Sequence, residues 1–430
     1  QAADEVGVYL QPELPNKRSG MDKKSVEDGA AMKLYNADYL QLDTGIINMT
    51  LKDYLRREGE LIFKNFGNHP SFVMFTLGNE LERNEAMYEL VAHFKNMDPR
   101  RLYAQGSNNM HWDPGFAEGD DFWVTCKTAA DLPVRGSFFQ GDFAKAHIEN
   151  FPPSTLVDYS RSIADIQVPV IGHETGQFQV SPDFDEISKF TGVTRARNYE
   201  IFRERLKQAN MLDQSADFVK ASGKLAVICY REDIEAALRT PDFGGFQLLD
   251  IQDFPGQGTA LVGILNDFME SKGLIAPEEW SQFCCEVVPL LKMGKYTWTN
   301  NENFTGNIEI AHYGKDDFKN AEVGWKVLNR KGETFTEGKF ILSGIPRGKV
   351  EKIGEISFPL TEIKEAEKLQ IVITIEGTKY KNGYDIWIYP DSIDTSIPDG
   401  IMVSERLDQI TKKHLENGGR AIIIPDHKKL

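Results

Sequence analysis

The stretch Asn68-His69-Pro70-Ser71-Phe72-Val73-Met74-Phe75-Thr76-Leu77-Gly78-Asn79-Glu80 constrains the fold more than any other. Phe72 to Phe75 are apolar without alternation, so a strand here must be covered on both faces. That is the pattern of a parallel strand in an α/β protein. Gly78 then lets the backbone leave the strand, and Asn79 and Glu80 follow it into the open. An acid at the C-terminal end of a barrel strand stands where barrel enzymes keep their sites. The competing reading is structural: Asn followed by Glu also suits the start of a helix.

The same rhythm recurs along the first 275 residues. Val6 to Leu10 is expected as a strand, with Gln11-Pro12-Glu13 as its exit. Residues 16 to 49 are polar and irregular, a lid or a decorated surface loop. Leu51, Tyr54, Leu55, Ile62, Phe63 and Phe66 recur at helical spacing behind Thr50, and Gly67 closes that helix. A second helix is expected from Glu85 to Asn96. Leu102 to Gln105 and Phe122 to Cys126 read as strands, the first leaving through Gly106-Ser107-Asn108-Asn109. A helix is expected near Leu156 to Ile166. Val168 to Ile171 is a short buried strand, leaving through Gly172-His173-Glu174-Thr175-Gly176. Helical pieces follow at 198–209, 216–220, 225–230 and 233–238, then a last strand from Gly244 to Ile251 with its exit at 252–258. Polar residues gather at strand exits and not at strand starts. Repeated βα units of this kind imply a parallel sheet, closed as a barrel or open and doubly wound. Six strands are legible where a (β/α)₈ barrel needs eight. The reading is a TIM barrel over residues 1–275 holding strands 3 to 8, and an internal stretch of a longer protein. Val8, Leu10 and Ile422 to Ile424 should then be exposed.

Beyond about residue 275 the period changes to two. Segments at 302–313, 321–328, 334–342, 352–360, 369–376 and 383–389 alternate apolar and polar, as in Asp385-Ile386-Trp387-Ile388-Tyr389. An immunoglobulin-like antiparallel β-sandwich is expected over 276–390. Residues 391–430 read as a partial α/β segment: two strands, at 401–403 and 420–424, around a helix from Glu405 to Glu416.

Three stretches together resemble glycoside hydrolase family 2, the family of β-galactosidases, β-glucuronidases and β-mannosidases. His69-Pro70-Ser71 through Gly78-Asn79-Glu80 resembles its acid/base motif. Val168 through Gly176 resembles its nucleophile strand, and Phe243 through Gly263 its last barrel strand and exit. Ala2-Ala3-Asp4-Glu5-Val6-Gly7 with Pro12-Glu13 is similar to the start of its third strand. The resemblance covers residues 1 to about 270. Two departures bear on sugar specificity: Glu174-Thr175-Gly176 stands for the family's Glu-Tyr-Gly, and the Leu248-Leu249 region replaces a usual Trp.

The resemblance implies a retaining exo-β-glycosidase, most simply β-galactosidase-like, with β-glucuronidase or β-mannosidase specificity as rivals. Retention needs two carboxyls about 5 Å apart, one protonating the leaving oxygen and one attacking the anomeric carbon. Glu80 is the expected acid/base and Glu174 the nucleophile. Asn79 is placed to bond the sugar's 2-hydroxyl. Glu13, Asn108, Trp112, His173 and Asp250 are candidate substrate contacts, with Asn109, Trp123, Gln252 and Asp253 behind them. Each has a structural alternative: Trp112 and Trp123 as packing, His173 as a satisfied histidine. A relative that only binds carbohydrate is the reading from another class.

Charge and cysteine usage narrow the partners. A formal net charge of -16 argues against nucleic acid and anionic membranes. No apolar run approaches membrane-spanning length. The four cysteines match no zinc or disulfide pattern, and no Ser-His-Asp set, HExxH or glycine-rich phosphate loop stands out. No cofactor or metal is expected. A carbohydrate is the expected partner, homo-oligomerisation is left open, and a periplasmic or secreted setting is favoured over a cytoplasmic one. Sequons stand at Asn48 and Asn303.

Overall fold

The computed structural model describes residues 1–15, 51–81, 85–108, 115–137, 145–254 and 260–426. The expected lid at 16–49 with the sequon Asn48, the cap Thr50, and the candidates Asn109 and Trp112 lie outside these residues.

Five parallel strands follow one another in chain order: β1 (Met74–Thr76), β2 (Leu102–Ala104), β3 (Trp123–Thr125), β4 (Val170–Gly176) and β5 (Gly245–Leu249). β1 pairs with β2, β3 with β4 and β4 with β5. Ser107 completes the row by bridging Asn79 on one side and Val124 on the other. Ahead of β1, Leu10 and Glu13 bridge Phe72 and Thr76 in the same parallel sense. Among the described residues no backbone pairing joins β5 to the Leu10–Glu13 segment.

Alternation along these strands separates two faces. Met74, Ala104, Phe122, Val124 and Ile171 cluster on one. On the other, Phe72, Phe75 and Tyr103 pack against α2 (Leu51–Phe66) and α3 (Glu85–Met97). Phe63 of α2 holds this layer together, with ring centroids 5.1, 4.9 and 5.6 Å from Phe72, Phe75 and Phe94. The helical stripe of the sequence thus becomes the cover of the acid-bearing strand.

The expected strand Val6–Leu10 is corrected. Residues Ala2–Val6 form a short helix, α1, ended by Gly7 at φ 75. Asp4 fixes it from below: its carboxylate accepts from Ser71 N at 2.9 Å and lies 2.5 Å from His69 Nδ1. The chain becomes extended only at Leu10, whose N–H donates to Ser71 O. Val8 and Leu10 are exposed.

Helix α4 (Arg197–Gln208) matches its expected span, whereas three expected pieces merge into α5 (Ser215–Leu238). The helix near 156–166 shrinks to Ser160–Ile163, because Pro152-Pro153 and the turn after them keep the chain extended until Tyr159.

C-terminal to these, two sheets close over one core. One holds Lys349–Pro359, Asn303–His312 and Val287–Lys292; the other holds Thr334–Ile341, Glu322–Leu328, Glu367–Ile375, Lys381–Tyr389 and Thr297–Thr299. Ile308, Ile310 and Phe358 from the first meet Val323, Ile371, Ile373 and Ile386 from the second. The pairing is antiparallel except at one edge, where Thr297–Thr299 runs parallel to Trp387–Tyr389. Last, Ile401–Ser404 and Arg420–Ile423 pair in parallel around α6 (Gln409–Glu416). Ile422, Ile423 and Ile424 are exposed there.

Candidate active site

The strand ends bear the expected polar residues, and two of those ends meet. His173 Nε2 lies 3.1 Å from Asn79 Oδ1, and Asn79 precedes Glu80. The same ring nitrogen is 3.5 Å from Glu174 Oε1. His173 therefore sits between the two acid-bearing motifs. The Cys126 thiol donates to the His173 carbonyl at 3.4 Å; burial pushes it up to about 12, against the lowering field of Arg135 and with smaller raising fields from Glu174 and Glu80.

The backbone at these ends is unusual. Glu80, Asn108 and Glu174 have φ of 55, 51 and 50, in the left-handed region that side chains other than glycine seldom occupy. Such strain gathers at functional sites because surrounding bonds over-determine it. At Glu80 the bond is its N–H to Ser107 O, at 2.8 Å. At Asn108 it is the N–H to Val124 O, also 2.8 Å.

Glu174 has a positive neighbour that sequence reading missed. Arg135 is nearly buried, and its guanidinium donates to the carbonyls of Ser137, His173 and Glu174 at 2.9, 3.3 and 2.9 Å. It also lies 3.6 Å from the Glu174 carboxylate. Gln177, at φ 67, donates to the same carboxylate at 3.3 Å. A fixed cation and an amide thus face this carboxylate.

Other candidates resolve differently. Glu13 accepts from Thr76 Oγ1 at 3.0 Å and from Ser107 Oγ at 2.5 Å. Asn108 is buried, and its Oδ1 accepts from Cys126 N. Asp250 accepts from Ile251 N, Trp123 is packed into the core behind β3, and Asp253 is buried against Lys272 at 2.6 Å. Gln252 is half-buried and bridges Leu265.

Residues 1–126 match the family model for glycosyl hydrolases family 2, TIM barrel domain. This segment is similar to a family-2 barrel segment. It includes the Leu10–Glu13 segment, β1 with Asn79-Glu80, β2 and β3. Residues 302–390 match a second model, a domain of unknown function, DUF8488. No curated protein matches the chain. Among solved structures it is similar to a β-D-mannosidase from Dictyoglomus thermophilum, at 14% identity and TM-score 0.46 over 77% of this chain and 40% of that one. It is similar also to a β-glucuronidase from Bacteroides uniformis, at 13% identity and TM-score 0.37 over 90% and 40%. An exo-chitosanase from Amycolatopsis orientalis gives 11% and 0.45 over 89% and 42%. The chain spans less than half the length of each.

Glu174 lies outside the matched family-2 segment, so its place rests on the geometry: β4 pairs beside β3, and His173 bonds back to Asn79 inside the segment. Among the described residues no group of three or more His, Cys, Asp or Glu is placed to hold a metal ion, and no helix is long and apolar enough to cross a membrane.

Proposed function

We propose that this chain carries the catalytic pair of a retaining exo-β-glycosidase, with Glu80 as acid/base and Glu174 as nucleophile. Glu80 protonates the glycosidic oxygen while Glu174 attacks the anomeric carbon. The leaving alcohol departs and a glycosyl-enzyme ester remains. Glu80, now ionised, takes a proton from water, which attacks the ester and restores Glu174. Asn79 bonds the 2-hydroxyl, and Arg135 with Gln177 positions the Glu174 carboxylate. The observation that carries this reading is the 3.1 Å contact of Asn79 with His173, which sets the two acid-bearing strand ends side by side. A terminal β-galactoside is the proposed substrate, with β-glucuronide and β-mannoside as rivals.

The test is a panel of aryl β-glycosides with the intact chain. Glu174→Gln should abolish glycosyl-enzyme formation, read by intact mass with a slowly deacylating 2-fluoro substrate. Glu80→Ala should slow substrates with poor leaving groups by roughly 10²–10⁴-fold and spare activated ones. Equal losses on both substrate types would remove the division of roles. Sugar binding without turnover of any aryl glycoside would favour the carbohydrate-binding reading.

A further inference from the structure

The carboxylate of Glu174 fixes which way its neighbours face. A carboxylate oxygen only accepts, and Glu174 Oε1 stands 3.5 Å from His173 Nε2. Asn79 Oδ1 stands 3.1 Å from the same nitrogen. Two acceptors on one ring nitrogen call for a proton there. Behind the ring, Nδ1 faces Gln247 Oε1 at 3.3 Å, and Gln247 Nε2 donates to Gln11 Oε1 at 2.9 Å. One amide oxygen at Nδ1 does not outweigh an amide oxygen and a carboxylate at Nε2. Nε2 therefore holds a proton whether the ring carries one or two. The orientation of the Asn79 amide follows. Turned over, it would set its NH₂ against the Nε2 proton. It gives Oδ1 to His173 and keeps its NH₂ for another partner. Asn79 is half-buried at the strand exit, and among the described residues that NH₂ meets no protein acceptor.

We infer that His173 is a positioning residue: its Nε2–H fixes the Asn79 amide with the NH₂ toward the sugar, so that the site reads the 2-oxygen as an acceptor. This rests on the glycosidase reading, in which Asn79 meets the 2-hydroxyl. A hydroxyl oxygen has lone pairs to receive that NH₂ and keeps its own proton to donate elsewhere. A free amide could turn either end to the substrate. Held by His173, it offers only the donor. The same N–H lies beside Glu174, so the donor is fixed relative to the nucleophile and not to its own strand alone. His173 is itself held from both sides, by Gln247 at Nδ1 and by Arg135 at its carbonyl.

The experiment compares an aryl β-glycoside that the intact chain turns over with its 2-deoxy analogue. Their intrinsic reactivities differ, but that difference cancels when each variant is set against the wild type. His173→Ala should lower the preference for the 2-hydroxy substrate, in kcat/KM, by roughly 10²-fold. Any loss through Glu174 falls on both substrates and leaves the preference standing, as does a merely structural loss. His173→Gln keeps an N–H within reach of Asn79 and should restore most of the preference. In an Asn79→Ala background, His173→Ala should no longer move it. An unchanged preference in folded His173→Ala overturns the proposal, as does an equal further loss in the Asn79→Ala background. With no turnover of any aryl glycoside the glycosidase reading fails, and the Nε2 proton is then read directly. Long-range ¹H–¹⁵N spectra of the ¹⁵N-histidine-labelled chain distinguish a protonated from a bare ring nitrogen, and His173→Gln identifies the signals among those of 8 histidines. His173 should show a protonated Nε2 near neutral pH; a bare Nε2 overturns the proposal whatever the kinetics.

Discussion

Asp233 shows how one buried carboxyl sets a pH dependence. It has no exposure, and it accepts from Gly136 N at 2.7 Å and Tyr159 Oη at 2.9 Å. Burial outweighs those bonds and pushes the carboxyl up from 3.8 to about 6. Between these values the folded chain keeps a proton that the unfolded chain has lost, so stability falls as pH rises through the window and is level above it. At full weight the term is about 3 kcal/mol. His147 lies across Gly136 from it and has the opposite sign. Burial, helped by Arg239, holds its imidazole down from 6.5 to about 4. The unfolded chain therefore binds that proton first, and stability is lost as pH falls through the same range. The wild-type profile is a near cancellation. We expect Asp233→Asn to lose stability on acidification from pH 6.5 to 4.5, and His147→Gln to gain it. Urea unfolding across that range checks both, and two profiles parallel to the wild type would remove the assignment.

Among elements, β4 carries the proposed nucleophile and ends on a glycine that cannot be replaced cheaply. Gly176 has φ 105, and an added Cβ would lie 2.2 Å from the Tyr230 ring. Tyr230 is itself fixed, donating from its hydroxyl to the carbonyls of Asp250 and Val262. Gly176→Ala should cost about 2–5 kcal/mol, from backbone strain and overpacking together. Gly192→Ala meets nothing and should stay within about 0.5 kcal/mol. Denaturant midpoints separate them, and equal midpoints would refute the role of Tyr230. The ends of β1 and β4 were legible in sequence because an apolar run stops abruptly at Gly and an acid. The strand Val287–Lys292 was not, because Pro289 argues against a strand; it is tolerated at the edge of its sheet. Helix α5 read as fragments because Asp233, Glu235 and Arg239 at its end are buried, and buried charge breaks an amphipathic pattern. Arg135, Gln11 and Gln247 carry no local period, since their partners come from distant strands. Only an isolated Arg in the apolar run Leu132-Pro133-Val134-Arg135-Gly136 hinted at a buried cation.

That buried charge on α5 explains how the parallel sheet and the two-sheet body are held as one molecule. Glu235 is fully buried and accepts from Arg231 of its own helix and from Arg239, the residue that follows it, at 2.9 and 3.3 Å. From the sheet body it accepts from Asn382 at 3.0 Å and Tyr384 Oη at 2.8 Å. Arg231 also donates to Asn382 Oδ1, and Asn382 to Pro289 O. Two cations and two neutral donors thus share one carboxylate across the contact. Removing it leaves Arg239 buried without its counter-charge, which costs about 3–5 kcal/mol. Tyr384→Phe removes only one hydroxyl and should cost about 1–3 kcal/mol. If the carboxylate is what the hydroxyl serves, the two losses are not additive. We expect Tyr384→Phe to cost little once Glu235 is Ala. We also expect Glu235→Ala to split one thermal transition into two, as the parts lose the bond that makes them unfold together. Calorimetry of the two single variants and the double variant measures both. Additive losses with a single shared transition would mean that the contact is only adjacency, and that the sheet body contributes nothing to holding α5 behind the strand that bears Glu174.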